Sequence, residues 1–434
     1  MKLSFVCTIG MALAGALAGT PLSVALDAPH TLHRPRLTPH LSESHRSSGR
    51  KATTHAEARS SAGAHTSKHA SANAAPAKLT TRGKARATAR LAALSTRHHH
   101  YYERFTASSF AGADQFAGDI TAGEDPVVRQ AAIDALGDMN GTAVVIDPSN
   151  GRILAMVNQK LALSSGAEPC STIKLTVALA ALSEGLVTRD TPVQLAGFRM
   201  NMTQALAKSN NLYFEELGRE LGFERVRRYA NQFGLGELAG YNIDGEQLGQ
   251  YPDQAIPAAE GGVGRMCSFG QGVSLTPLQL GAFVASLANG GTLYYLQHPT
   301  TPDEAEHMAP RIKRTLDIAK YVPEMQDGMA GAVEYGTARR LRANFSALPV
   351  FGKTGTCSDN GTRFGWFASF SDSPQGSLVT VFFLKGGRPT FGPRAAELAG
   401  EFYKNLWDKD YFAQKDSTIA KAAPLTAAEQ GAAQ

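Results

Sequence analysis

The order in which strand-like and helical segments follow each other constrains the fold of this 434-residue chain most strongly. Two apolar, β-branched segments at 142–147 and 152–157 flank the turn sequence Pro148-Ser-Asn-Gly151, and this pattern predicts a β-hairpin. Helical periodicity precedes the hairpin and then dominates the middle of the chain, at residues 126–139, 171–182, 202–234, 276–288 and 325–332.

Strand signals return towards the C-terminal end, at 350–356, 362–370 and 377–385, and an amphipathic helix follows from Gly392 through Leu406. The two ends of the region therefore supply strands, and the middle supplies helices joined by glycine-rich loops through residues 262 and 272. This order predicts an α+β fold, in which one antiparallel sheet is flanked by helices and carries a helical subdomain.

The N-terminal segment is typical of export. Lys2 precedes an uncharged, mostly apolar or small-residue run from Leu3 to Leu26, and Ser23-Val-Ala25 offers small residues where a signal peptidase cuts. Residues 1–26 are therefore predicted to be a signal peptide, with an uncleaved membrane anchor as the alternative, because about 20 apolar residues span a bilayer. Either form predicts a periplasmic or cell-envelope location.

Residues 27–100 form a low-complexity stretch with 13 Lys or Arg against 3 Asp or Glu and with ten of the twelve histidines. Too few large apolar residues are present to offset the entropy of folding, so we predict a disordered basic linker that contacts anionic lipid or wall polymer.

Residues 101–434 carry 29 basic and 35 acidic residues. The pI of 8.9 thus reflects the linker, and no nucleic-acid partner is expected. The folded domain is predicted at 101–412, before a flexible tail at 413–434.

Ser171 and Lys174 are the first pair of chemically interesting residues. They lie three positions apart at a proline-led helix start, so their side chains should share one helix face. A serine hydroxyl needs a neighbouring base to become a nucleophile, and a lysine becomes a base when burial lowers its pKa. The apolar run from Leu175 to Leu182 predicts such burial. Alone, the pair is more typical of an ordinary helix start than of a catalytic site.

A second candidate is Lys208-Ser-Asn-Asn211. The hydroxyl of Ser209 can relay a proton, and the amide of Asn211 can hold a substrate carbonyl or a lysine ammonium group. Serine and asparagine also cap helices, which is the simpler interpretation of this pair.

A third candidate lies on the predicted strand from residue 350. Lys353 can supply positive charge to a substrate carboxylate, the hydroxyls of Thr354 and Thr356 can donate to that group, and Gly355 lets a substrate backbone approach the strand. The alternative is a surface strand with a glycine bulge. A phosphate-binding loop is excluded, because the glycine-rich lead-in is missing and no helix begins here.

The order S-x-x-K, S-x-N, K-T-G resembles the penicillin-binding proteins and serine β-lactamases. From about Asp125 to Leu406 the chain is similar to the transpeptidase domain of class B penicillin-binding proteins. The segments that carry this resemblance are Val145-Ile-Asp-Pro-Ser-Asn-Gly-Arg-Ile-Leu-Ala155, Glu168-Pro169, Phe233-Gly-Leu-Gly236, Phe269-Gly-Gln-Gly272, Leu275-Thr-Pro-Leu-Gln279, Ala288-Asn-Gly-Gly291, Gly336-Thr-Ala338 and Gly352-Lys-Thr-Gly-Thr356.

The resemblance implies that Ser171 attacks a D-Ala-D-Ala stem peptide, releases the last D-Ala and becomes acylated. Lys174 would take the hydroxyl proton, Ser209 would pass it towards the leaving amine, and Asn211 would hold Lys174 and the substrate amide. A stem-peptide amine would then accept the acyl group and cross-link the wall, and β-lactams would acylate the same serine.

The resemblance also implies the substrate-binding residues. Lys353 and Thr354 would bind the terminal carboxylate, with Gly355 and Thr356 beside it. The backbone N–H groups of Ser171 and Thr356 would form the oxyanion hole. Cell-wall synthesis proteins are further expected partners, and no metal or other cofactor is expected.

Beyond Cys7 in the apolar N-terminal run, three cysteines remain, and their spacing matches no zinc pattern. The sequence favours three unpaired structural cysteines. The alternative follows from the resemblance, which implies that the elements of Cys170 and Cys357 face each other, so that a disulfide can form in an oxidising compartment.

Three functions remain open at this point. The first is a D,D-transpeptidase or D,D-carboxypeptidase. The second is a β-lactamase, although the chain lacks a glutamate segment of the class A kind. The third is a non-catalytic penicillin-binding scaffold or sensor.

Overall fold

The computed structural model describes residues 105–112, 114–374 and 376–413. The predicted signal peptide, the basic linker and the tail beyond residue 413 lie outside the described residues. Among the residues that are described, no helix is both long enough and apolar enough to span a membrane.

The strands pair into one large sheet and two small ones. Five strands form a wholly antiparallel sheet in the order β2-β1-β9-β8-β7, and two separate pairs, β3–β4 and β5–β6, lie outside it. The strands are β1 (Gly141–Asp147), β2 (Arg152–Val157), β3 (Val193–Leu195), β4 (Phe198–Met200), β5 (Thr292–Tyr294), β6 (Ile312–Thr315), β7 (Val350–Asp359), β8 (Thr362–Ser371) and β9 (Val379–Gly386). The predicted α+β fold is confirmed, although the two small pairs were not predicted.

The helices come mainly from the middle of the chain, as the sequence predicted. They are α1 (Pro126–Leu136), α2 (Gln159–Ala162), α3 (Lys174–Ser183), α4 (Met202–Lys208), α5 (Asn211–Gln232), α6 (Gly262–Phe269), α7 (Pro277–Ala288), α8 (Pro302–Glu306), α9 (Val322–Glu334), α10 (Leu341–Asn344) and α11 (Gly392–Trp407), with 3₁₀ helices at Cys170–Ile173 and Ala258–Glu260.

The large sheet separates two hydrophobic cores. Side chains alternate between its faces along β9: Val381 and Phe383 pack into the core shared with the central helices, whereas Phe382 and Leu384 pack into the core shared with α1 and α11. Helix α7 covers the first face and contacts β1, β8 and β9. A strand that is buried on both faces reads as a continuous apolar run, which explains the composition of β9.

Helix α3 is the buried centre of the helical part. Every residue from Lys174 to Leu182 is buried, and the helix packs against α5 and α6. This environment is largely apolar, so burying a charged group on α3 costs free energy unless the group is paired or neutralised. The prediction that Lys174 is buried is confirmed.

Several boundaries differ from the sequence-based prediction, including those of α6, α9 and α1. The region around residue 262, predicted as loop, forms α6, because the apolar residues Val263, Met266 and Cys267 recur at helical spacing among the glycines. Helix α9 extends beyond the predicted 325–332 at both ends. Helix α1 ends before the predicted residue 139, because Gly137 adopts a positive φ of 58° and its N–H closes the last turn on Ile133.

Candidate active site

The segment that carries Ser171 enters helix α3 through a 3₁₀ turn rather than a regular α-helical start. A 3₁₀ helix has three residues per turn, so side chains three positions apart lie directly above each other. Lys174 therefore stands over Ser171, and its Nζ is 2.6 Å from the serine Oγ. This is the distance at which a base can take the hydroxyl proton.

Lys174 reaches two further oxygen atoms. Its Nζ is 2.8 Å from Oδ1 of Asn211 on α5 and 2.6 Å from the backbone carbonyl oxygen of Ser268 on α6. Both atoms accept hydrogen bonds, so they occupy two N–H groups of the lysine. A neutral amine has two N–H groups and one lone pair. In that state the lone pair is left for the hydroxyl of Ser171.

The neutral state of Lys174 has a physical cause. Its side chain is wholly buried. Burial, together with the positive charge of Lys353, lowers its pKa to about 6. The amine is thus mostly unprotonated at neutral pH, which is what a general base requires.

Lys353, on β7, is the second buried lysine of the site. Its Nζ donates to Oγ of Ser209 at 2.8 Å and to the backbone oxygen of Thr354 at 3.0 Å. Burial lowers its pKa to about 7. Among the described residues, Lys353 forms no salt bridge with a carboxylate. Its ammonium group is therefore suited to bind the anionic group of a ligand.

The loop between α4 and α5 directs its two side chains to different lysines. Ser209 ends α4 in a left-handed conformation with φ 54°, and Asn210 caps α5 by accepting from the N–H of Tyr213 at 2.9 Å. This sharp turn places Ser209 against Lys353, while Asn211 in the first turn of α5 reaches Lys174. The helix-capping interpretation is thus correct for Asn210, whereas Ser209 and Asn211 both contact lysines of the site.

The edge strand β7 lies against the nucleophile segment. A Cβ atom on Gly355 would come within 2.8 Å of the Pro169 backbone oxygen, so only glycine permits this approach. Oγ1 of Thr354 donates to Oγ1 of Thr337 at 2.7 Å. Oγ1 of Thr356 accepts from the N–H of Gly392 at 2.8 Å. Every predicted site residue therefore lies on one of three neighbouring elements.

The same approach brings two cysteines together. Cys170 and Cys357 form a disulfide with a Cα–Cα distance of 5.5 Å. The expectation of three unpaired cysteines was therefore wrong, because the close contact at Gly355 brings the flanking Cβ atoms within bonding reach. Cys267 is free and buried, and burial raises the pKa of its thiol to about 12.

Two contacts of the site were not predicted. The carbonyl of Ser268 holds Lys174, and the hydroxyl of Thr337 accepts from Thr354. A backbone carbonyl leaves no signal in the sequence, since every residue has one. Thr337 lies within the Gly336-Thr-Ala338 segment, which the resemblance included without giving it a role.

The arrangement of side chains in the described residues differs from the ligand set of a metal site. Within the part of the chain that the structure describes, no group of three or more His, Cys, Asp or Glu side chains is arranged to hold a metal ion. The arrangement instead offers a serine with a neutral lysine beside it, and a second lysine with hydroxyl groups around it.

The chain is similar to a known protein family and to individual proteins with descriptive names. The family model described as "Penicillin binding protein transpeptidase domain" matches residues 141–405, more than half of the chain. Stage V sporulation protein D of Bacillus subtilis is 30% identical over 316 residues, which cover 61% of this chain and 48% of that protein. The chain thus spans about half the length of that relative. Peptidoglycan D,D-transpeptidase PbpA of Mycolicibacterium smegmatis is 25% identical over 397 residues, covering 71% of this chain and 75% of that protein.

Solved structures are similar in fold. A peptidoglycan glycosyltransferase from Burkholderia ambifaria gives a TM-score of 0.57 at 20% identity and covers 66% of this chain and 97% of its own, a likeness of fold alone. Pseudomonas aeruginosa PBP2 in complex with WCK 5153 gives a TM-score of 0.55 at 25% identity, with 67% of this chain and 78% of that chain covered. The resemblance seen in the sequence is confirmed: this chain belongs to the penicillin-binding protein transpeptidase family.

Proposed function

We propose that this protein is a D,D-transpeptidase that cross-links peptidoglycan through an acyl-enzyme on Ser171. The single observation that carries the proposal is the buried amine of Lys174, 2.6 Å from the serine hydroxyl and with its pKa lowered to about 6. A neutral amine in hydrogen-bond contact with a hydroxyl is the arrangement that serine acyl transfer needs.

In the first half-reaction, Lys174 takes the proton of Ser171 while Oγ bonds to the carbonyl carbon of the penultimate D-Ala. The peptide bond then breaks, and the nitrogen of the last D-Ala leaves as an amine after receiving a proton. We propose that the hydroxyl of Ser209, whose Oγ lies 2.8 Å from Lys353 Nζ, donates its proton to the D-Ala nitrogen. Ser209 is then reprotonated with the proton that Lys174 removed from Ser171. Asn211 holds Lys174 in place through the 2.8 Å contact.

The negative charge of the substrate is met by the second lysine. Lys353 supplies a cation and Thr356 a hydroxyl donor to the terminal carboxylate, with Gly355 allowing the substrate to lie along β7. The Thr354 hydroxyl joins them by turning its proton from Thr337 to the carboxylate. Among the described residues, Lys353 forms no salt bridge with an acidic side chain, which supports a role in binding an external carboxylate.

The developing oxyanion is assigned to the backbone N–H groups of Ser171 and Thr356. One such donor is worth about 3–4 kcal/mol in other acyl transferases. In the second half-reaction an amine from a neighbouring stem peptide attacks the acyl-enzyme carbon and the ester bond to Ser171 Oγ breaks. The amine gives up one proton through Lys174, and this proton returns to Ser171 as the new amide forms. We further propose export to the cell envelope, where cell-wall synthesis proteins and the anionic surface met by the basic linker are the expected partners.

The function is tested with a synthetic stem pentapeptide ending in D-Ala-D-Ala and a second stem peptide as amine acceptor. Wild-type protein is expected to release D-Ala and form a cross-linked dimer, both measured by mass spectrometry. D-Ala release without dimer indicates a carboxypeptidase. Rapid loss of a bound penicillin label during a chase indicates a β-lactamase, and a stable label without peptide turnover indicates a non-catalytic penicillin-binding scaffold or sensor. Absence of both peptide turnover and label contradicts the catalytic interpretations.

The two lysines predict a bell-shaped pH profile for the second-order rate of acylation by penicillin. The rate should rise as pH increases through about 6, because Lys174 loses its proton there, and fall above about 7 as Lys353 loses the charge that attracts the carboxylate. Stopped-flow labelling between pH 4.5 and 9.5 measures both limbs. A rate that falls from pH 5 to pH 6.5 contradicts the role of Lys174 as base.

A further inference from the structure

A disulfide joins the two segments to which the oxyanion hole is assigned. Cys170 is bonded to Cys357 across 187 positions of sequence. Cys170 immediately precedes Ser171, and Cys357 immediately follows Thr356. The cross-link therefore lies one residue from each proposed N–H donor.

Cys170 also has an unusual backbone. Its φ is 52°, in the left-handed region that residues with a side chain rarely adopt. The N–H of Ser171 belongs to the peptide unit that follows Cys170. Any relaxation of the Cys170 dihedrals towards the right-handed region must therefore rotate the Ser171 N–H away from its present direction.

The surrounding contacts fix the segment at other points. The indole N–H of Trp366 donates to the Glu168 carbonyl at 3.0 Å, and a Cβ on Gly270 would come within 2.5 Å of the Pro169 ring. These contacts hold residues 168 and 169. Thr172 closes the turn around Cys170 by donating its N–H and hydroxyl to the Pro169 carbonyl at 3.2 and 2.6 Å. The disulfide adds a covalent contact on Cys170 itself, where the left-handed dihedral lies.

We propose that the Cys170–Cys357 disulfide is a positioning element that keeps Cys170 in its left-handed conformation and thereby aims the Ser171 N–H at the oxyanion. This inference rests on the proposed function. A cross-link that served stability alone would change the unfolding temperature and leave the acylation step untouched.

The test compares two double variants by fluorescent penicillin labelling. In C170S/C357S, residue 170 keeps a side chain but loses its cross-link. The acylation rate constant at saturating penicillin should then fall about 10- to 100-fold, because the Ser171 N–H no longer points at the oxyanion. In C170G/C357S the glycine adopts the left-handed conformation freely. Its rate should lie within about threefold of wild type, although it lacks the same cross-link.

The concentration of penicillin that gives half-saturation should be similar in all three proteins, because Lys353 and its hydroxyl neighbours are unchanged. Dithiothreitol should slow wild-type acylation in parallel with the appearance of two alkylatable thiols, as two electrons and two protons pass from the dithiol to the cystine. It should not affect C170G/C357S, which controls for the remaining cysteines.

Several outcomes overturn the inference. Equal acylation by oxidised and fully reduced wild type contradicts it, as does equal loss in the serine and glycine variants. If circular dichroism shows that C170S/C357S does not fold, the acylation rate of reduced wild type is compared with that of C170G/C357S instead. The inference then requires the reduced wild type to be the slower of the two. A wild type that takes no label contradicts the proposed function instead, so the two failures are distinguishable.

Discussion

Replacing Lys174 by methionine is expected to lower the second-order rate of acylation by penicillin about 10³-fold, within the range that a general base contributes. Methionine has nearly the length of lysine and is apolar, so it fills the same buried space next to Ser171. It cannot accept the serine proton. The loss should appear in the acylation rate constant at saturating penicillin, because Lys353 and the hydroxyls that meet the carboxylate remain.

The variant should remain folded. The oxygens of Asn211 and Ser268 each lose a donor, which costs about 1–3 kcal/mol for a buried unsatisfied group. Thermal unfolding by circular dichroism measures this change. Lys320→Met serves as the matched control, because Lys320 is an exposed lysine that pairs with Asp317, and the acylation rate of this variant should equal that of wild type. Wild-type acylation by folded Lys174→Met would contradict the assignment of the base.

Replacing Lys353 by methionine should lower acylation by about 10- to 100-fold, because a hydrogen bond to a charged group contributes about 1.5–3 kcal/mol. The loss should appear mainly as a higher half-saturating concentration of penicillin. A penicillin ester, which lacks the carboxylate charge, should acylate wild type and variant at similar rates. An unchanged rate with the free acid would contradict the binding role.

The same variant makes a second, independent prediction. The positive charge of Lys353 is one of the two causes that lower the pKa of Lys174. Without that charge, the rising limb of the acylation profile should move to a pH above about 6. The falling limb assigned to Lys353 should disappear. A profile that keeps both limbs unchanged would show that the two lysines are not coupled as the structure indicates.

Local patterns in the sequence were sufficient for most of the fold. The hairpin of β1 and β2 follows from two apolar runs around a turn sequence, and α7 follows from Thr276 and Pro277 at its start, where Thr276 and Gln279 form a capping box. The glycines of Gly262–Phe269 obscured α6, because glycine weakens the helical signal while buried neighbours impose the helix.

The site was predictable only as an ordered set of motifs. Ser171 and Lys174 lie close in sequence, so local geometry alone predicts their contact. The contacts of Lys174 with Asn211 and Ser268 cross 37 and 94 positions, and depend on how α3, α5 and α6 pack. The disulfide likewise depends on tertiary approach, since two Cβ atoms must come within bonding reach.

The most direct test of the account is the site of covalent attachment. Wild type and Ser171→Ala are incubated with fluorescent penicillin, digested and mapped by mass spectrometry, with the exposed Ser165→Ala as matched control. The account predicts one adduct on the peptide containing Ser171, retained in Ser165→Ala and absent in folded Ser171→Ala. An adduct that persists in Ser171→Ala, or that maps to another residue, would contradict the claim that Ser171 is the nucleophile.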